Sequence, residues 1–138
     1  MKKVFLDTNI MLDLLAERDP FYNSIAKIAT LADQKVLQLI TSPISFTTVN
    51  YVLSKFESIE PVMNKIRKLR ILCEVSEVNQ EIIDKSLNSQ FSDFEDAVQY
   101  YSALNSNCNV ILTRNGKDFK QSEIAIMTSD EFLKSIAL

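Results

Sequence analysis

The sequence predicts an α/β fold, a central parallel sheet of four to five strands flanked by helices. Three observations carry this. Short apolar runs of strand length recur at Val4–Leu6, Val36–Thr41, Ile71–Val75, Val110–Thr113 and Ala125–Met127. Between them, apolar residues return at helical spacing. Strands that alternate with helices pair in parallel through right-handed crossovers rather than as hairpins. With 138 residues and 46% hydrophobic content, the chain reads as one domain over residues 1–138, large enough to bury a core.

Val4–Leu6 is too short to identify alone. The spacing after it settles the matter: Ile10, Leu14 and Leu15 share a helical face with Met11 near it, so the reading is strand, sharp turn, helix. Asp19-Pro20 predicts a helix start, with Asp as cap and Pro at the first helical position, and Ile25, Ile28, Ala29 and Ala32 follow. Ser42-Pro43 closes the second strand, and Phe46, Val49, Leu53 and Phe56 line the next helix. Glu60-Pro61 opens a further helix carrying Val62, Ile66 and Leu69. Ile82, Ile83 and Leu87 mark a helix behind the third strand. A helix from Asp93 to about Asn105 follows, with Phe94, Ala97, Val98, Tyr101 and Leu104 on its expected buried side. Thr128-Ser129-Asp130-Glu131 has capping-box spacing and starts the closing helix, with Phe132, Leu133 and Ile136 facing inward.

Composition removes several chemistries. The chain has no histidine, which excludes Ser-His-Asp and Cys-His hydrolysis. Its single glycine, Gly116, excludes a P-loop or a Gly-rich dinucleotide turn. Cys73 and Cys108 stand apart in apolar surroundings and read as small buried hydrophobes rather than a disulfide or metal pair. No run is long enough to span a bilayer and the amino terminus lacks a signal-peptide pattern, so the expectation is a soluble, cytoplasmic protein with no membrane partner. A net charge of −3 advertises no nucleic-acid binding; any such binding has to be local.

The acidic residues are more telling. Asp7 and Asn9 follow the first strand directly, and in an open parallel sheet the carboxyl ends of strands form the ligand crevice. The plainer alternative is that Asp7 merely caps the next helix. Ser92-Asp93-Phe94-Glu95-Asp96 begins another helix, where Ser92 and Glu95 fit a capping box and Asp93 and Asp96 share one face of the first turn. Asp96 also borders the apolar Ala97-Val98. The fourth strand runs into the polar turn Arg114-Asn115-Gly116-Lys117-Asp118. Converging carboxylates repel unless a cation sits among them, and an all-oxygen set selects Mg²⁺ or Mn²⁺ before Zn²⁺. Such a site suits phosphodiester hydrolysis.

These three stretches, Val4–Asn9, Asp93–Ala97 and Leu112–Phe119, resemble the three motifs of PIN domains, most closely the small bacterial VapC-like branch found as toxins in toxin–antitoxin pairs. The resemblance spans essentially the whole chain. It implies a three-layer PIN-like fold and a Mg²⁺- or Mn²⁺-dependent ribonuclease acting on single-stranded or structured RNA. It also implies a homodimer and a cognate antitoxin that covers the active site. By resemblance, Asp7 is the first metal-binding acid and Asp96 the central one, while the fourth position falls on Asn115 or Asp118. Asp7, Asp96 and Asp118 are thus the expected catalytic acids, with Asn9 and Thr113 orienting ligands or water.

One departure stands out. The family carries a glutamate early in the helix after the second strand, and here that position is Thr48, with no acid within a turn of it. The outcomes left open are a weaker but working nuclease, a site completed by Asp93, or a catalytically inactive PIN-like module that binds RNA or a partner protein; an active or weakly active nuclease is favoured. Lys65, Arg67, Lys68 and Arg70 read as a solvated helix face, whereas Arg114, Lys117 and Lys120 flank the expected mouth and are better placed for RNA phosphate. Apolar residues on the helices after Asp19 and Ser42 leave room for a dimer or antitoxin surface. A haloacid dehalogenase-type phosphatase would need an acid where Asn9 stands, and a receiver domain would need an acceptor Asp after the third strand, where Glu74-Val75-Ser76 lies.

Overall fold

The five apolar runs form one parallel sheet in the computed structural model, which describes residues 1–137. Its strands are β1 (Lys2–Leu6), β2 (Leu37–Thr41), β3 (Cys73–Val75), β4 (Val110–Leu112) and β5 (Ala125–Met127), in the spatial order β3-β2-β1-β4-β5. The helices are α1 (Thr8–Leu15), α2 (Tyr22–Asp33), α3 (Pro43–Leu53), α4 (Ile59–Leu72), α5 (Gln80–Leu87), α6 (Phe94–Asn105) and α7 (Ser129–Ile136), with a 3₁₀ turn at Gly116–Phe119.

Strand side chains alternate between two faces, and this alternation builds the layers. Val4, Leu6, Leu39, Val110 and Leu112 point into one core with Ile10 of α1, Ile25 and Ile28 of α2, Val49 of α3, Leu69 of α4 and Phe132 of α7. Phe5, Ile40 and Ile111 point the other way, onto Tyr100 and Ala103 of α6, and α5 packs against α6. The result is the expected three-layer α/β arrangement, helices on both sides of the sheet. From β1 the chain steps outward to β2 and β3, then returns to place β4 on the opposite side of β1. The strand order therefore reverses between β1 and β4. Ligands bind at such a switch point, outside the carboxyl ends of the strands.

Several local expectations are corrected. The second helix begins at Tyr22 rather than at Asp19-Pro20, because the amides of Phe21 and Tyr22 both donate to the Arg18 carbonyl and residues 19–21 form a turn. Val36 lies outside β2, and Phe56 is exposed beyond the end of α3. Ile71 lies in the last turn of α4 and is exposed, so β3 starts only at Cys73. Phe94 and Leu104 are exposed, while Gln99, Tyr100 and Ser102 turn inward. The α6 face is rotated because Tyr100 packs on Phe91, centroids 5.3 Å apart, and Gln99 satisfies a buried polar network. The Ser92–Glu95 capping box does not form: Asp93 is the cap, and its side chain accepts from the Asp96 amide at 3.1 Å. The Thr128–Glu131 box does form. Both cysteines are buried free thiols that burial pushes up to about 12, the behaviour of inert core residues. Among the described residues no helix is long and apolar enough to cross a membrane.

Candidate active site

The switch point is occupied by Asp7. It holds the cap position of α1 in extended backbone, yet its side chain makes no capping bond. The carboxylate turns the other way instead: Thr113 Oγ1 donates to Oδ2 at 2.8 Å and Gln99 Nε2 donates to Oδ1 at 3.0 Å. The two strand ends are tied together, since the Asp7 amide donates to the Leu112 carbonyl at 3.0 Å and Thr113 Oγ1 accepts from the Asn115 amide at 3.0 Å. Gln99 Oε1 in turn accepts from the Thr8 amide at 3.2 Å. Asp7 is only 4% exposed, and burial raises its carboxyl above the ordinary value although the Thr113 and Gln99 bonds pull it down. Capping is thus not what this residue does.

Asp7 opens onto a cleft of about 330 Å³ lined by Thr8, Asn9, Leu12, Thr48, Val52, Asp93, Glu95, Asp96, Asn115 and Asp118. Asn9, Thr48, Asp93, Asp96, Asn115 and Asp118, singled out from sequence, are therefore brought together, with Thr113 buried behind Asp7. Both candidates for the fourth position line the cleft, linked by the Asp118 amide donating to the Asn115 carbonyl at 2.9 Å. Burial pushes the Asp96 carboxyl from 3.8 to about 7, helped by the negative charges of Asp93, Asp7, Asp118 and Glu95. Those acids are close enough to feel one another. Thr48 brings no acid, but its hydroxyl donates to Glu95.

An all-oxygen donor set under mutual repulsion fits a hard divalent cation, which would relieve the excess charge. Among the described residues, no three of these acids already form a ready-made cage. The fit lies in donor chemistry and charge.

The basic candidates part company. Arg114 forms a bidentate pair with Asp13, Nε at 2.9 Å and Nη2 at 3.1 Å, and its guanidinium lies 4.1 Å over the Phe21 ring. It lines a groove against α1 and α2 rather than the carboxylate cleft. Lys117 lines an adjoining groove of about 310 Å³ with Phe91, Ser92, Lys120 and Gln121, and Asp118 borders both that groove and the cleft.

Sequence reading missed Gln99 and Asp13. Gln99 stands three residues after Asp96, hence on the same helical face, which was a usable signal. Asp13 interrupts the apolar run Ile10-Met11-Leu12-Leu14-Leu15 and is 0% exposed; a lone acid in such a run has to find a partner.

Comparison with known proteins supports the fold and the family. Residues 3–117 match the PIN domain family. The chain is 31% identical over 137 residues to Ribonuclease VapC1 of Aquifex aeolicus (strain VF5), covering 95% of this chain and 93% of that protein. Among solved structures, DNA-bound VapBC from Salmonella typhimurium superposes with a TM-score of 0.71 at 16% identity, over 94% of this chain and 99% of that one. VapBC2 from Rickettsia felis, bound to a DNA fragment from its promoter, gives 0.68 at 20% identity, over 91% and 96%. At such identities these structures speak to the fold alone. The match along the sequence goes further, and with it this chain belongs to the PIN domain family.

Proposed function

We propose that this protein is a divalent-metal-dependent endoribonuclease of the toxin-like kind, a single catalytic domain over residues 1–138 that hydrolyses RNA phosphodiester bonds in the cytoplasm. One observation carries the reading: the buried Asp7, held by Gln99 and Thr113, opens onto the same cleft as Asp96 and Asp118, where burial and neighbouring acids raise Asp96 to about 7.

PIN-domain ribonucleases of the VapC branch generally depend on a divalent metal. The oxygen donors favour Mg²⁺ or Mn²⁺. Asp7, Asp96 and Asp118 would hold it, with the Asn115 side chain as a neutral oxygen donor and Asp93 in reserve. When bound, such an ion lowers the pKa of the attacking water and offsets charge on the scissile phosphate. Asp7 enters the reaction already oriented, because Gln99 and Thr113 saturate one side of its carboxylate. Asp96 has to shed a proton before it serves as ligand. Asn9 and Thr48 supply polar contacts at the rim. Lys117, with Lys120, takes phosphate along the groove beside Asp118, while Arg114 supports the active-site turn from behind through Asp13.

The partners follow by likeness. Ribonuclease VapC1 is named for RNA cleavage, and the Salmonella and Rickettsia structures are VapBC pairs. RNA, a cognate antitoxin and a second copy of the chain are the partners proposed here. An apolar groove lined by Pro43, Phe46, Met63, Ile66, Ile71 and Val75, with Arg67 and Arg70 at its rim, suits an antitoxin segment bearing apolar and acidic side chains.

Thermal stability with and without Mn²⁺ tests the reading in the parent and in Asp96→Asn, followed by RNA cleavage with Asp7→Asn as control. A cation that binds the folded state raises the midpoint of the parent only. A parent that neither gains stability from Mn²⁺ nor cuts RNA would instead be a catalytically inactive PIN-like module binding RNA or protein, as the threonine at position 48 allows.

A further inference from the structure

Glu95 does not do what a first-turn acid ordinarily does. Its carboxylate does not fold back to cap α6, because Asp93 already caps that helix. It reaches across to two other helices instead. Oε1 lies 3.2 Å from Thr48 Oγ1 of α3, whose single proton is shared between Glu95 and the Ile44 carbonyl at 3.3 Å, and Oε2 accepts from Thr8 Oγ1 of α1 at 3.3 Å. All three residues line the cleft that holds Asp7 and Asp96. Thr8 is itself steadied from α3, its hydroxyl lying 2.8 Å from Ser45 Oγ.

Two neutral hydroxyls orient a carboxylate without cancelling its charge. Among the described residues, no Lys or Arg forms an ion pair with Glu95, in contrast to Asp13, which has Arg114 and Arg18. A half-buried carboxylate fixed by hydroxyl donors and left uncompensated is arranged as metal ligands are, with the outer partners setting orientation and the lone pairs left for the ion. Each Glu95 oxygen spends one acceptor site on threonine and keeps another.

We propose that Glu95, clamped by Thr8 and Thr48, supplies the cation-facing carboxylate on the α3 side of the cleft, where the chain carries threonine rather than an acid at position 48. The inference rests on the metal-dependent nuclease reading. It makes Glu95 a ligand delivered from α6 and Thr48 its positioning residue.

Mn²⁺ affinity by isothermal titration calorimetry tests it. Glu95→Gln keeps the size and one acceptor oxygen, with its NH₂ donating to the other threonine hydroxyl, but loses the charge, and should weaken Mn²⁺ binding about tenfold or more. Thr48→Val removes only an orienting partner and should cost about threefold, less than the loss of a ligand itself. The double variant Glu95→Gln/Thr48→Glu returns a carboxylate to the same space from α3 and should recover most of the lost affinity. The metal-free thermal midpoint of Glu95→Gln should equal or exceed the parent's, since one of the charges crowding Asp96 is gone. Unchanged Mn²⁺ affinity in Glu95→Gln, with binding lost in Asp7→Asn, overturns this inference and leaves the nuclease reading standing. A lowered metal-free midpoint with unaltered affinity assigns Glu95 a structural role and likewise overturns it. A parent that does not bind Mn²⁺ overturns both. Should Glu95→Gln fail to fold, the Thr48→Val and Thr48→Glu affinities decide: neither departing from the parent counts against the clamp.

Discussion

Gln99 and Asp7 are joined by a hydrogen bond of 3.0 Å, donated by a side-chain amide that is 0% exposed. The same amide group accepts the Thr8 backbone N–H, so one residue of α6 fixes both the first acid and the start of α1. Gln99→Leu keeps the volume and strands both partners. Unsatisfied buried polar groups cost about 1–3 kcal/mol, and urea unfolding should show a loss in that range. A variant as stable as the parent would show that Asp7 is oriented without Gln99.

The Asp13–Arg114 pair is asymmetric, and its two halves should fail differently. Asp13 is wholly buried, whereas the Arg114 side chain is 29% exposed and can swing into water. Arg114→Met leaves the buried Asp13 carboxylate with only the longer Arg18 contact at 4.0 Å, for which the expected loss is at most about 3–5 kcal/mol. Asp13→Leu should cost less. Burial already raises the Asp13 carboxyl despite Arg114, so without the guanidinium it protonates more readily still, and the Arg114→Met deficit should shrink in acid. Denaturation of both variants at two pH values checks the order.

Lys117 and Arg114 should also separate in RNA binding. Lys117→Ala should weaken affinity across unrelated sequences and lower the salt slope by about one, as loss of a phosphate contact does. Arg114 is engaged with Asp13 and Phe21, so its replacement should show first in stability. Binding isotherms at several salt concentrations measure the difference.

Asp96 sets the expected pH dependence. Its folded value of about 7 lies above the ordinary 3.8, so between these values the folded state holds more protons than the unfolded one. Metal-free stability should therefore decline as pH rises from about 4 to 7, by linkage. A divalent cation competes with that proton, so Mn²⁺ affinity should climb through the same interval. Asp96→Asn should flatten the stability profile; a parent profile already flat across the interval would refute the assignment.

Much of this was legible along the chain. Strand, turn and helix at Val4–Leu15 follow from spacing, and the Thr128 capping box from a four-residue pattern, because each depends on neighbours a few residues away. Boundaries that depend on packing were less legible: the face of α6 turns to suit Phe91 and Gln99, and Ile71 lies in the last turn of a helix instead of opening a strand.

By itself the sequence determined the α/β class and the side of the sheet on which Asp7, Asp96, Asn115 and Asp118 meet. Strand carboxyl ends and the following helix starts share one edge of any parallel sheet, so local periodicity carries that information. Only the tertiary structure decided how each side chain is used. Asp7 turns from capping to Gln99 and Thr113, Glu95 turns from its own helix to Thr8 and Thr48, and Arg114 turns to Asp13. Each of these contacts joins residues far apart in the chain, and no local pattern encodes which donor will stand opposite a given carboxylate once the layers close.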